Sequence, residues 1–189
     1  MFLIMKIAFI GTHGVGKTTL CYELAASLKR LDFSVDLVKE VARSCPLPIN
    51  RATTIMAQEW ILHTQVAQEI ALAAQYDAIV CDRAVVDNYA YLVKAAGRRQ
   101  ELEPFIASWM HTYNLLVKVP IVAPPTYDGT RDTSVQFQTA IDQLIDKLLA
   151  EFHLLPLELP ADNRTGWVAA VLGALTLPRR PPQLDLFGH

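Results

Sequence analysis

Residues 11 to 19 read Gly-Thr-His-Gly-Val-Gly-Lys-Thr-Thr, which sets Gly11, Gly16, Lys17 and Thr18 at the spacing G-x-x-x-x-G-K-[ST]. Glycines at these positions let backbone N–H groups converge on phosphate oxygens, and a helix opening at Lys17 adds the positive end of its dipole. In that geometry Lys17 reaches the terminal phosphates and the Thr18 hydroxyl ligates Mg²⁺. Thr12, His13, Gly14, Val15 and Thr19 complete the loop, so residues 11 to 19 together are the candidate nucleotide-binding set, with ATP and Mg²⁺ the expected cofactors. His13 stands at a variable position of the loop, reads as an exposed histidine, and is given no chemical role of its own.

A phosphate loop alone does not name a reaction. Switches, motors and kinases share it, and a kinase needs a second site facing the γ-phosphate. Two acids meet that need: Glu40 in "KEVARS" and Asp82 in "CDRAVVDNY", each closing an apolar stretch. If the two stretches are strands flanking the first, both carboxylates emerge beside the loop, where ligands of open α/β sheets bind. One then orients an acceptor hydroxyl and the other serves the Mg²⁺ shell; residue types alone leave open which does which. Arg83, next to Asp82, offers a planar donor fork to acceptor or phosphate oxygens. Arg43 and Arg51 follow the second stretch and either line an acceptor pocket or stand as ordinary surface arginines.

The segment "DGTRDTS" at 128 to 134 contains Arg131, placed to neutralise the transferring phosphate from a closing loop, with Gly129 for mobility. Its other reading is a loop leading into a helix, capped by Asp132 or Thr133. Arg98 and Arg99 form a competing lid candidate, ranked lower because they fall at a turn between helices.

These residues need a scaffold that brings them to one edge. Residues 3 to 10 are almost continuously apolar and β-branched, as in a central strand covered on both faces. Strands are also expected at 33 to 40, 76 to 82, 114 to 122 and within "LLPLEL". Helices are expected at 17 to 31, 53 to 75, 85 to 96, 101 to 112, "VQFQTAIDQLIDKLLAEF" and "GWVAAVLGAL". The alternation predicts an α/β fold: a doubly wound, parallel, five-stranded sheet with helices on both faces. In the long helix, Gln58, Gln65 and Glu69 share one face. That stripe reads as solvated, with reading of a nucleobase edge as the alternative.

The composition sets the bounds. At 189 residues and 52% apolar content the chain has enough to bury one proper core. Residues 1–176 are read as a single domain and 177–189 as a Pro-rich tail. Seventeen basic against nineteen acidic residues give a formal charge of -2, so no global field attracts nucleic acid. Cys21, Cys45 and Cys81 have neither disulfide-framework nor zinc spacing and read as buried thiols in a reducing interior. The apolar start reads as a strand rather than a leader, and no apolar run is long enough to cross a bilayer. A cytoplasmic protein follows from both.

Taken together, the loop, the E-x-A-R of Glu40, Ala42 and Arg43, the Asp82-Arg83 pair and the set Asp128, Gly129, Arg131, Phe137, Gln138, Ile141 and Asp142 resemble the small AAA_28-type P-loop proteins. That group is related to the NadR-type nicotinamide riboside kinase domain and, more distantly, to deoxynucleoside and thymidylate kinases. The resemblance spans about residues 5 to 165. It implies Glu40 or Asp82 as the acceptor-side carboxylate, Arg83 as an acceptor or phosphate contact and Arg131 as the lid arginine. It also implies Asn163 and Arg164, in the loop after the last strand, as neighbours of the adenine. The third strand ends in Asp-Arg-Ala where many deoxynucleoside kinases carry Glu-Arg-Ser, so nucleoside specificity does not carry over.

The tail adds one more resemblance. Gln183, Leu184, Asp185, Leu186 and Phe187 match the Q-L-[SD]-L-F pentapeptide by which bacterial replication and repair proteins bind the sliding clamp. Leu186 and Phe187 suit an apolar pocket, Leu184 a neighbouring one, and Gln183 supplies orienting hydrogen bonds. The other reading is a tail folded back on its own domain. With the clamp as address, the expected acceptor widens from a free nucleoside, nucleotide or hydroxylated nucleobase to DNA, for example a 5-hydroxymethyluracil base, contacted through Arg51, Arg98 and Arg99. An adaptor NTPase that hydrolyses slowly is the reading from another class.

Overall fold

The computed structural model describes residues 4–124 and 134–177. Arg131, with the rest of the segment 125–133, and the pentapeptide at 183–187 lie outside the described residues.

Five parallel strands form the predicted sheet: β1 (Met5–Ile10), β2 (Val35–Val38), β3 (Ala78–Asp82), β4 (Leu115–Lys118) and β5 (Leu157–Glu158), in the order β2-β3-β1-β4-β5. All residues of β1 and β3 are buried, which explains why both read as unbroken apolar runs rather than alternating ones. The order reverses at β1, so the chain leaves the sheet there into a crevice between β3 and β4. The register pairs Phe9 with Asp82 and Ile10 with Lys118, which sets the ends of β3 and β4 on either side of the loop that follows β1.

Helices α1 (Lys17–Arg30), α2 (Ile55–Ala73), α3 (Val85–Ala96), α4 (Glu103–Met110), α5 (Val135–Glu151) and α6 (Trp167–Ala174) cover the two faces. One core contains Leu62, Tyr89, Ile106, Ile141 and Ile145; the other contains Leu24, Leu28, Val117 and Trp167. Thr54 caps α2 through Ala57 N, and Ser134, not Asp132 or Thr133, caps α5 through Phe137 N.

The structure corrects the reading of α2. Gln58, Gln65 and Glu69 face inward at 6%, 0% and 1% exposure, while Met56 and Ile70 on other faces stand in solvent at 70% and 57%. The polar stripe is buried instead of in water, and each member has a partner: Gln58 donates to Thr53 Oγ1, Gln65 to the Arg83 carbonyl, and Glu69 pairs with Lys6. Cys21 and Cys81 are buried as expected, whereas Cys45 is only partly so.

Candidate active site

The phosphate loop is shaped by left-handed glycines. Gly11, Gly14 and Gly16 have φ of 134°, 78° and 94°. At Gly11 a β-carbon would also lie 2.9 Å from the Val119 carbonyl oxygen, so the end of β4 leaves no room for one. The loop is anchored by a residue with no recognised motif: Asp87 in the first turn of α3, buried, accepts from Gly11 N at 2.8 Å and from Ala84 N at 3.0 Å. Burial raises its proton affinity, against the pull of Lys17 and Arg83. No sequence signal marks Asp87, because its partner is 76 residues away.

Lys17 begins α1 and is buried; its Nζ donates to the carbonyls of Gly11 at 2.8 Å and Thr12 at 2.5 Å. Burial first, and then the nearby Arg83 charge, lower its pKa from 10.5 to about 8. Thr18 Oγ1 donates to Asp82 Oδ2 at 2.5 Å, so a hydroxyl and a carboxylate meet beside the loop. This pair of hard oxygens suits Mg²⁺, which takes one or two protein ligands and completes its shell with phosphate and water. Among the described residues no group of three or more His, Cys, Asp or Glu could cage a metal. Asp82 thus meets the first turn of α1 directly.

Glu40 is the second carboxylate beside the loop. It follows β2 at the head of the short 3₁₀ turn Val41–Ser44. Arg83 Nε and Nη2 both donate to its Oε1, at 3.1 and 2.7 Å, and Arg43 Nε donates to Oε2 at 2.9 Å. Burial by itself would push the carboxyl up, but the charge and hydrogen bonds of Arg83, with Lys17 and Arg43, hold it well below the usual carboxylate range. Glu40 is thus fixed as an anion. Arg83 is buried, sits 4.8 Å from the Tyr91 ring and adopts φ 97°, a left-handed backbone that a non-glycine residue holds only at a cost of about 1–3 kcal/mol. Its Nη1 is buried with no hydrogen-bond partner among the described residues.

Two cavities meet at this pair. A small one of about 140 Å³ is lined by Gly14, Gly16, Lys17, Thr18, Thr19 and Asp82, together with Glu40 and Arg83. A larger one of about 350 Å³ shares Glu40 and Arg83 and extends between Ile49, Gln58, Ile61, Asn88, Tyr91 and Phe137. That volume falls in the range of small-molecule sites, and the walls mix apolar side chains with polar and charged ones such as Asn50, Thr53 and Lys94. Its wall includes His13, which is buried rather than exposed as expected: Nδ1 lies 3.1 Å from Tyr91 Oη, and Gln138 Nε2 donates to its carbonyl at 3.0 Å. Arg43 also lines this cavity, and Arg51 falls in the neighbouring turn Asn50–Ala52.

The remaining candidates divide. Arg98 pairs with Glu103 and Glu151, and Arg99 with Glu59 and Glu101, so both tie the α3–α4 connection to its surroundings. Arg164 Nη2 would lie 3.0 Å from a β-carbon at Gly16, which puts its guanidinium over the phosphate loop, beside a groove formed with Thr19, Tyr22 and Glu23. Asn163 instead turns inward to its own backbone, accepting from Gly166 N at 3.2 Å. It caps a turn.

A model of the AAA_28 family, an AAA domain, matches residues 6–165. The chain belongs to this AAA domain family. No curated protein matches it. Its fold is similar to that of the NadR protein solved in complex with NR, with a TM-score of 0.69 at 17% identity, over 95% of this chain and 54% of that one. The chain thus spans about half the length of that protein. The likeness shows a shared fold, the parallel α/β sheet described above.

Proposed function

We propose that the protein is an ATP-dependent kinase that transfers the γ-phosphoryl group to a hydroxyl of a nucleoside, nucleotide or hydroxylated nucleobase held in the 350 Å³ cavity. The observation that carries this reading is the Glu40–Arg83 pair, which lies in the wall common to the phosphate cradle and that cavity. A switch or adaptor NTPase has no use for a buried anion and a buried guanidinium facing a second chamber.

In the proposed reaction, Lys17 and the amides of residues 11 to 19 hold the β- and γ-phosphates, and Arg164 lies over the same loop on the nucleotide side. Thr18 and Asp82 would hold Mg²⁺, which neutralises phosphate charge when bound. Glu40 accepts a hydrogen bond from the acceptor hydroxyl and orients it. Its suppressed proton affinity makes it a weak base, which suffices for a loose transition state in which the proton leaves late. Arg83 Nη1, buried with no hydrogen-bond partner among the described residues, would donate to an oxygen of the phosphoryl group or the acceptor. Arg131 would serve as the lid arginine, a role carried by its place in the sequence.

The NR bound by the similar NadR structure supports a nucleoside-like acceptor. The "QLDLF" sequence supports a second version, in which the acceptor is a hydroxymethylated pyrimidine in DNA reached through a sliding clamp. Incubation of γ-labelled ATP with free nucleosides, mononucleotides, plain DNA and hydroxymethylated DNA separates the two. Label in a free nucleoside or nucleotide alone supports the first; label in hydroxymethylated DNA alone supports the second; hydrolysis to phosphate with no labelled acceptor refutes the kinase reading.

A further inference from the structure

The inward stripe of α2 ends on a buried charge that lines neither cavity. Glu69, 1% exposed, forms an ion pair with Lys6 of β1 at 2.8 Å. Its two oxygens receive three more donors: Trp109 Nε1 on Oε2 at 2.8 Å, and Gln65 Nε2 at 2.9 Å and Tyr113 Oη at 2.5 Å on Oε1. Lys6 Nζ lies 4.5 and 4.4 Å from the Trp109 and Tyr113 ring centres, so cation–π contacts surround the ammonium where carboxylates do not. A buried ion pair gives little net stability relative to an apolar substitute of similar shape, so its presence calls for another reason.

The reason lies in the two donors on Oε1. Gln65 Nε2 also donates to the Arg83 carbonyl at 3.1 Å, and Tyr113 Oη also accepts from Val85 N at 3.2 Å. Both groups therefore grip the turn that joins β3 to α3, one at Arg83 and the other two residues on. Each is itself held by the same carboxylate oxygen. Tyr113 donates its only proton to Glu69, which leaves a lone pair fixed toward Val85 N; Gln65 is drawn by Glu69 into the orientation that serves Arg83. The residue gripped is the one with φ 97°, a conformation that persists only when its surroundings over-determine it.

We propose that Glu69, through Gln65 and Tyr113, is a positioning hub that holds Arg83 in its left-handed backbone and so keeps the guanidinium on Glu40 at the meeting of the two cavities. This rests on the kinase reading above. The hub's Oε2 side, with Trp109 and Lys6, fixes the carboxylate but does not touch the turn.

Three variants separate positioning from stability: Gln65→Met and Tyr113→Phe each remove one grip on the turn, and Trp109→Phe removes a donor from Glu69 without reaching it. Transfer of label from γ-labelled ATP to the best acceptor of the panel gives kcat and both KM values; thermal melting gives stability. Gln65→Met and Tyr113→Phe are expected to lose about 10- to 100-fold in kcat with the KM for ATP unchanged, since a displacement of about 1 Å costs that much. The double variant loses less than the product of the two, because both act on one turn. Trp109→Phe lowers the melting temperature and costs less kcat than either grip variant, because Lys6 still holds the same carboxylate oxygen. Equal kcat in Gln65→Met, Tyr113→Phe and wild type, or a kcat loss in Trp109→Phe matching theirs, overturns the proposal. A wild-type protein that labels no acceptor overturns the kinase reading itself, and this proposal with it.

Discussion

Arg83 and Glu40, 43 positions apart in the chain, meet through two hydrogen bonds to a single carboxylate oxygen. The contact joins the end of β3 to the turn after β2 and stands in the wall common to the phosphate cradle and the larger cavity. Since neither side chain is exposed, the pair has shed most of its water, and removing one partner strands the other.

The depressed pKa of Lys17 makes nucleotide binding sensitive to pH. A lysine whose folded pKa falls from 10.5 to about 8 binds fewer protons folded than unfolded between those values. The free protein therefore gains stability from this group as pH rises from about 8 to 10.5, and loses that contribution as pH falls through 8. A polyphosphate reverses the shift, so binding at pH 8 takes up about half a proton, and affinity weakens above it. Calorimetry of ATP binding in buffers of different ionisation enthalpy checks this; heats independent of buffer contradict it.

The Thr18–Asp82 contact predicts a metal-linked phenotype. Thr18→Val keeps the shape of the side chain and removes the oxygen. Nucleotide affinity measured with Mg²⁺ should fall about ten-fold or more, while affinity measured in excess chelator changes little. Titrations with and without Mg²⁺ provide the comparison.

Gly11 has no room for a side chain. Gly11→Ala meets the Val119 carbonyl at 2.9 Å and a φ of 134°, and it disturbs the amide that Asp87 accepts from. The expected cost is about 1–3 kcal/mol of stability with loss of ATP binding. Denaturant unfolding of the variant, alongside a binding titration, tests both.

Lys6 and Glu69 should behave as a pair. Glu69→Leu leaves an ammonium buried and uncompensated, at a cost of about 3–5 kcal/mol, whereas Lys6→Met combined with Glu69→Leu recovers much of it. Unfolding midpoints of the single and double variants decide the matter.

What could be read from residues alone followed the range of the interaction. The phosphate loop is nine consecutive residues whose types answer to local backbone geometry, and the parallel sheet announced itself through unbroken apolar strands such as Met5–Ile10. Periodicity placed Gln58, Gln65 and Glu69 on one helix face but did not say which face turns inward; polar type pointed to water, and Lys6, Trp109 and Tyr113 were needed to show otherwise. Asp87 escaped notice because its partner Gly11 is distant in the chain. Asn163 and Arg164 are adjacent in sequence yet differ in structure: one caps a turn, and the other lies over Gly16. Residue type could not tell Glu40 from Asp82; the fold distinguishes them by their partners, Arg83 for one and Thr18 for the other.

The central claim is that an acceptor hydroxyl meets the γ-phosphate at Glu40. Acceptor-dependent transfer from γ-labelled ATP in Glu40→Gln, with ATP binding measured alongside, tests it most directly. The account predicts a fall of about 100-fold or more in transfer, with ATP affinity within about three-fold of wild type. Transfer at the wild-type rate, or a loss of ATP binding as large as the loss of transfer, would contradict it.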